Sequence, residues 1–140
     1  CRWTPAGSGA TAIAWAVETR SAGSRAPSGP PAARRIEHGV AGGDVNRYLG
    51  IAAVLGAALN GSEDGAMPPQ PITGSAYTAD LARIPTLWQD AIDAFETDPH
   101  VARIFTPDLI RNYVMTKRQE LHFMQEASPQ EQVEIYLDTV

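Results

Sequence analysis

Six arginines stand in the first 47 residues of this 140-residue sequence: Arg2, Arg20, Arg25, Arg34, Arg35 and Arg47. No lysine accompanies them; the single lysine is Lys117. A guanidinium presents a planar fork of donors that meets phosphate or carboxylate two bonds at a time, which an ammonium cannot do. Six unrelated surface cations would give the same composition, so the nearby acid matters more. In Arg34–His38 a period of two places Arg35 and Glu37 on one face and Arg34, Ile36 and His38 on the other. Such a pair is either a plain ion pair or a phosphate contact beside a carboxylate that offers hard oxygens to Mg²⁺.

The other reactive groups carry less. His38 follows Glu37 in sequence, but alternation turns the two to opposite faces. His100 and His122 stand far apart, and the three histidines show no metal-ligand spacing. Cys1 is the lone cysteine, which leaves no internal disulfide, no cysteine cluster for zinc, and no base at hand to make a nucleophile. Ala6-Gly7-Ser8-Gly9 fits neither a phosphate-binding loop nor a dinucleotide fingerprint.

Composition bounds the rest. A net charge of −5 with no basic run excludes the electrostatic footprint of a nucleic-acid binder. No apolar run approaches the roughly 18 residues of a membrane helix, and the N-terminus lacks a signal pattern. The expectation is a cytoplasmic protein with no membrane and no nucleic-acid partner. The length suits one domain. All twelve glycines lie at or before Gly74, as do seven of the eleven prolines. Through residue 70, six basic and five acidic residues nearly cancel; beyond it, eleven acids face five basic residues. The sequence opens at Cys1-Arg2-Trp3 without a methionine, and so reads as a piece of something longer.

These residues need elements to hold them. Residues 1–10 read as a mobile loop. Ala12–Val17 alternates, with Ile13, Trp15 and Val17 on a bulky face and Ala12, Ala14 and Ala16 on a small one suited to close packing. Ser28-Gly29-Pro30-Pro31 is a loop, Arg34–His38 a second strand, and Gly42-Gly43 a turn leading to Asp44 as N-cap. Tyr48–Leu59 reads as a helix, apolar nearly all round and therefore buried, ended by Gly61. A proline-rich connection, Gly61–Gly74, follows. Asp98-Pro99, Thr106-Pro107 and Ser128-Pro129 each read as a cap and first helical residue, and Ser128 with Glu131 fits a capping box. The helices are Thr86–Glu96, Pro99–Phe105, Pro107–Ala127 and Pro129–Leu137. In the long one Leu109, Tyr113, Met115, Thr116 and Phe123 supply the core side; the acids of the last one form a solvated face.

Two stretches resemble a known family in register. Thr19-Arg20-Ser21-Ala22-Gly23-Ser24-Arg25-Ala26-Pro27 is similar to the asparagine-arginine-serine-alanine…arginine-x-proline motif of glutamine synthetases. Ala33-Arg34-Arg35-Ile36-Glu37-His38, then Gly43-Asp44-x-Asn46-x-Tyr48-Leu49, is similar to the next motif. Ile13-Ala14-Trp15, Arg35–His38 and the closing Tyr136-Leu137-x-Thr139-Val140 most resemble the gamma-glutamyl-amine (polyamine) ligase branch. The resemblance covers essentially the whole chain.

The resemblance implies an ATP-dependent ligase joining glutamate to ammonia or a small amine through gamma-glutamyl phosphate, with Mg²⁺ or Mn²⁺, in a homo-oligomer. Arg2 matches a substrate-carboxylate arginine, Arg20 and Arg25 match arginines at the phosphates and the transferred group, Arg35 a nucleotide-side arginine, and Glu37 a metal-binding glutamate. The implied fold is α+β: short antiparallel strands of a partial catalytic sheet with flap and arginine loops over residues 1–42, then helices over 43–140, the N-terminal beta-grasp domain being absent. Gly39 stands where the family usually has arginine, Thr19 and Arg47 where it has asparagine and proline, and Ser8 at the flap glutamate of glutamine synthetases. The isolated piece is expected to be inactive; a non-catalytic nucleotide-binding paralogue or fragment and a helical oligomerisation module are the alternatives.

Overall fold

The computed structural model describes residues 10, 12–43 and 45–137. They form three strands, β1 (Ala12–Ala16), β2 (Ala22–Arg25) and β3 (Glu37–His38), a 3₁₀ turn at Pro31–Ala33, and five helices: α1 (Arg47–Glu63), α2 (Trp88–Thr97), α3 (Pro99–Ile104), α4 (Pro107–Glu126) and α5 (Pro129–Leu137). The class is α+β, as expected. The chain divides into a strand-bearing unit, which runs to Val45 and takes in Met67–Thr86, and a helical unit, Asn46–Ala66 with Leu87 onward. The 67–86 segment, which chain order groups with the helices, thus belongs with the strands.

In the strand-bearing unit the sheet order is β1-β2-β3. The strands are not all antiparallel: β2 and β3 are, but β1 and β2 run parallel, Ala12 opposite Ala22 and Ala16 opposite Arg25. Five residues, 17–21, carry the chain back beside the start of β1, a reach of about 3.3 Å per residue being enough. The register slips between Ala12 and Trp15, so β1 does not alternate strictly. Ala12 and Ala16 are fully buried while Ile13 is 64% exposed. The small face is the packed one. On the far side of β1 lies the 67–86 segment: Ile13 N donates to Ala82 O, Ile72 N to Trp15 O, and Trp15 Nε1 to Pro69 O at 2.6 Å. Buried Ser21 ties the unit together by accepting from Ala76 N at 2.8 Å. The expected second strand shrinks to Glu37–His38, and β2 is a strand that the sequence pattern does not mark.

In the helical unit, capping follows the sequence closely at three of the starts. Asp98 accepts from His100 N, Thr106 from Leu109 N, and Ser128 and Glu131 exchange bonds as a capping box. Helix α1 starts differently: Asn46 accepts from both Tyr48 N and Leu49 N at 3.1 Å, while Asp44 lies outside the described residues. Its end also differs. Gly61 is inside the helix, and the left-handed residue is Gly65 at φ 62°. Ala66 N bonds to Gly61 O and Gly65 N to Ser62 O, the two bonds of a Schellman motif. A Cβ at Gly61 meets nothing within 4 Å. Gly61→Ala is therefore expected to stabilise the unit by about 0.5–1 kcal/mol, and Gly65→Ala to destabilise it by about 1–2 kcal/mol. Thermal melts giving both variants the same sign would refute this end.

The core of the unit lies between α2 and α4, where Ile92, Val114 and Met124 are buried. Phe95 is flanked by Phe105 and Tyr113 at ring separations of 5.8 and 5.2 Å. Of the expected core side of α4, Leu109 and Tyr113 are half-buried, whereas Met115, Thr116 and Phe123 are exposed. The rest of the packed side runs along Val114, Lys117, Leu121 and Met124, leaving Met115 and Phe123 more than half exposed. Lys117 fits there because its ammonium sits 5.6 Å over the Tyr113 ring and bonds Glu120. Helix α1 is not buried: none of its residues is, and Tyr48, Ile51, Leu55 and Leu59 are each more than half exposed. Its one packed flank meets α3, where Gly56 lies against Ile104.

Candidate functional site

Strand pairing in the strand-bearing unit gathers the arginines. Arg25 closes β2 and stands directly opposite Glu37 of β3. Between them the chain leaves β2 through Ala26–Gly29, turns at Pro31–Ala33, and returns through Arg34 and Arg35. Prolines at 27, 30 and 31 keep this excursion extended and out of the sheet. Arg35 Nη1 donates to Ala33 O at 3.2 Å, which fixes the guanidinium against the turn.

Glu37 is the hub. Its Oε2 accepts from Arg25 Nε at 3.0 Å and from Arg25 Nη2; its Oε1 accepts from Arg35 Nε at 2.8 Å, with Arg35 Nη2 also 2.8 Å away. The Arg25 side chain is 16% exposed and that of Arg35 54%. An open hollow of about 520 Å³ lies beside the cluster, lined by Ala26–Gly29 and Arg34–Ile36. On its approach Ser28 Oγ donates to Glu18 at 3.1 Å.

The hydrogen bonds from Arg25, and then those from Arg35, hold the Glu37 carboxyl below the ordinary glutamate range, against the opposing pull of burial. A carboxyl lowered by folding adds stability above its unfolded pKa, and that stability is lost as pH falls through the folded value. Melting temperature is therefore expected to drop with acidification below the ordinary glutamate range, and to drop less steeply in Glu37→Gln. Parallel curves for the two proteins would show that Glu37 contributes nothing to the acid limb.

The expected same-face pairing of Arg35 with Glu37 is present. Arg25 is among the expected site residues, but its pairing with Glu37 is not legible in the sequence, because Ala22–Arg25 carries no strand pattern. Arg34 and Arg20 are exposed and make no ion pair with another described residue. His38 is exposed on the opposite side of β3. Arg47 opens α1 in the other unit. Arg2 and Cys1 lie outside the described residues. Gly39 is exposed and not in the left-handed region; a Cβ there meets Ala22 O, Gly23 O and Ala10 Cβ at 3.8–3.9 Å, ordinary contacts.

Guanidinium forks held beside an open hollow are an arrangement whose chemistry suits an oxyanion. The glutamine synthetase catalytic-domain family model matches residues 1–136, and the chain belongs to that family. It is similar to a gamma-glutamylethanolamide synthetase of Streptomyces coelicolor, 34% identical over 120 residues, 86% of this chain and 26% of the relative. It is also similar to a glutamate–isopropylamine ligase of a Pseudomonas species, 32% identical over 110 residues, 76% of this chain and 24% of the relative. A glutamine synthetase of Streptomyces coelicolor is 30% identical over 138 residues, 90% of this chain and 29% of the relative. The chain spans about a quarter of the length of these relatives.

The family generally uses ATP and a divalent metal. The donors suit phosphate: Arg34 and Arg35 line the hollow. They do not suit a divalent cation. Both oxygens of Glu37 carry guanidinium bonds, and no group of three metal-ligating side chains exists among the described residues. No helix among the described residues is long and apolar enough to cross a membrane.

Proposed function

We propose that this chain forms part of the catalytic domain of an ATP-dependent ligase that joins glutamate to ammonia or a small amine. In the reaction the glutamate side-chain carboxylate takes the terminal phosphoryl group of the nucleotide, and the amine then displaces phosphate. Arg20, Arg25 and Arg35 meet the phosphates, and Arg2 the substrate carboxylate. Phosphoryl transfer asks a protein for positioned positive charge more than for covalent chemistry, and positioned guanidinium groups are what this sheet offers. The observation that carries the reading is the Arg25–Glu37–Arg35 cluster, built by β2, β3 and the turn between them. Two amine-ligase relatives favour an amine as acceptor over ammonia alone.

Calorimetry with ATP is expected to give saturable binding to the 140-residue chain, weakened by Arg35→Ala. Silence in excess nucleotide would remove the nucleotide role. The 140 residues by themselves are expected to show no ATP-dependent gamma-glutamyl transfer. Measurable turnover would overturn that.

An assembly role for the helical unit is favoured by one observation, the exposed apolar surface of α1. Light scattering at rising concentration is expected to show self-association; a monomer throughout would dismiss this second role.

A further inference from the structure

Glu37 stands at the position that matches a metal-binding glutamate, yet its surroundings in this chain are those of an anion held by cations. A carboxylate offers about four lone-pair sites. Four guanidinium nitrogens surround this one, two from Arg25 at Oε2 and two from Arg35 at Oε1. A divalent cation there would have to displace these donors and then sit between two fixed positive charges. Mg²⁺ and Mn²⁺ also need several oxygens, and no group of three metal-ligating side chains forms among the described residues. The nearby acid, Glu18, bonds Ser28 instead.

The cluster of two arginines and one glutamate keeps a net positive charge, and Arg34 adds another on the wall of the hollow. Glu37 takes up the Nε side of both guanidinium groups, and Ala33 O takes one Nη1 bond of Arg35. This leaves donors on the end edge of Arg35, which lines the hollow with Arg34, while Arg25 behind them adds its charge.

We infer that Glu37 in this chain is the shared counter-ion that positions Arg25 and Arg35 rather than a metal ligand, and that the adjoining hollow binds a phosphate-type oxyanion without a divalent cation. The inference rests on the phosphate-facing reading above and goes beyond it in excluding metal from Glu37.

The test uses the whole 140-residue chain with two probes, sodium tripolyphosphate in EDTA and Mn²⁺ alone. Tripolyphosphate is expected to bind saturably in EDTA, with affinity falling as salt rises, and Arg34→Ala or Arg35→Ala to weaken it by about tenfold. Arg34 lies outside the ion-pair cluster, so its variant keeps the sheet intact. Mn²⁺ is expected to broaden the amide NMR signals of Glu37 and its neighbours no more in the native chain than in Glu37→Gln. Broadening that Glu37→Gln abolishes would overturn the inference, as would tripolyphosphate binding that appears only with Mn²⁺. In that second case the phosphate-facing reading would survive. Failure of tripolyphosphate to bind under either condition would remove both.

Discussion

Gly39→Arg is expected to raise the affinity of the chain for tripolyphosphate or ATP by about tenfold at low salt, roughly 1.4 kcal/mol, without loss of folding. The position follows β3 directly, next to His38 and two residues from Glu37. Its backbone N donates to Gly23 O at 3.0 Å, which keeps it beside β2. Glycine is not required there by conformation, since φ is outside the left-handed region, nor by space, since a Cβ meets only ordinary contacts at 3.8–3.9 Å. A side chain at this exposed site is therefore accommodated, and the substitution also trims the freedom of the unfolded chain.

The gain comes from charge and fork geometry together. One more guanidinium beside Arg25, Arg34 and Arg35 adds a charge-assisted donor pair to an oxyanion. Calorimetry separates the two contributions. Gly39→Gln is expected to match the native chain, Gly39→Lys to gain less than arginine because an ammonium is a point charge, and all gains to shrink as salt rises. An equal gain in Gly39→Gln would place the effect in the backbone and defeat the explanation. The motif that this stretch resembles has arginine here, so the variant also measures what glycine leaves out of this chain.

How much of this site the sequence shows depends on which residues build it. The Arg35–Glu37 pair was legible because both sit on one short period-two run. Arg25 opposite Glu37 was not, because Ala22-Gly23-Ser24-Arg25 holds no β-branched or aromatic residue to mark a strand. What makes it one is tertiary: Gly23 lets β1 approach so closely that a Cβ there would lie 3.0 Å from Ala12 O. The helical unit was legible where the signal is local, as at Asp98, Thr106 and Ser128, whose side chains cap the next turn. It was misread where burial depends on what lies outside the helix. Tyr48–Leu59 is apolar on every side, and composition alone cannot tell a covered helix from a bare one. On α4 the expected side includes Tyr113, which does pack on Phe95, but misses Val114 beside it, whose burial depends on what lies against the helix and not on its own spacing.

Gly56→Leu is expected to be the most damaging single change in the helical unit, costing about 3 kcal/mol. Helix α1 touches the rest of its unit along one flank, and Gly56 is where Ile104 of α3 comes closest. A Cβ at Gly56 would lie 2.7 Å from Ile104 Cγ2, 2.8 Å from Cγ1 and 3.2 Å from Cβ. Ile104 is β-branched and stiff at χ1, so the conflict is with the base of a side chain that has no easy alternative. Relief requires α1 and α3 to separate. The Arg103 guanidinium, which bonds Asp64 at 2.6 and 3.1 Å one residue away from Ile104, would then be pulled from its partner. Helix propensity works in the opposite direction: removing a mid-helix glycine gains about 1 kcal/mol. Gly56→Ala therefore tests the balance. It is expected to destabilise by about 1 kcal/mol, overpacking exceeding propensity, whereas Gly61→Ala, five residues along the same helix and facing open space, shows the propensity gain alone. Ile104→Ala in the Gly56→Leu background should recover part of the loss, because the two substitutions share one contact. Denaturant unfolding that finds Gly56→Ala as stabilising as Gly61→Ala would mean that α1 and α3 do not meet there.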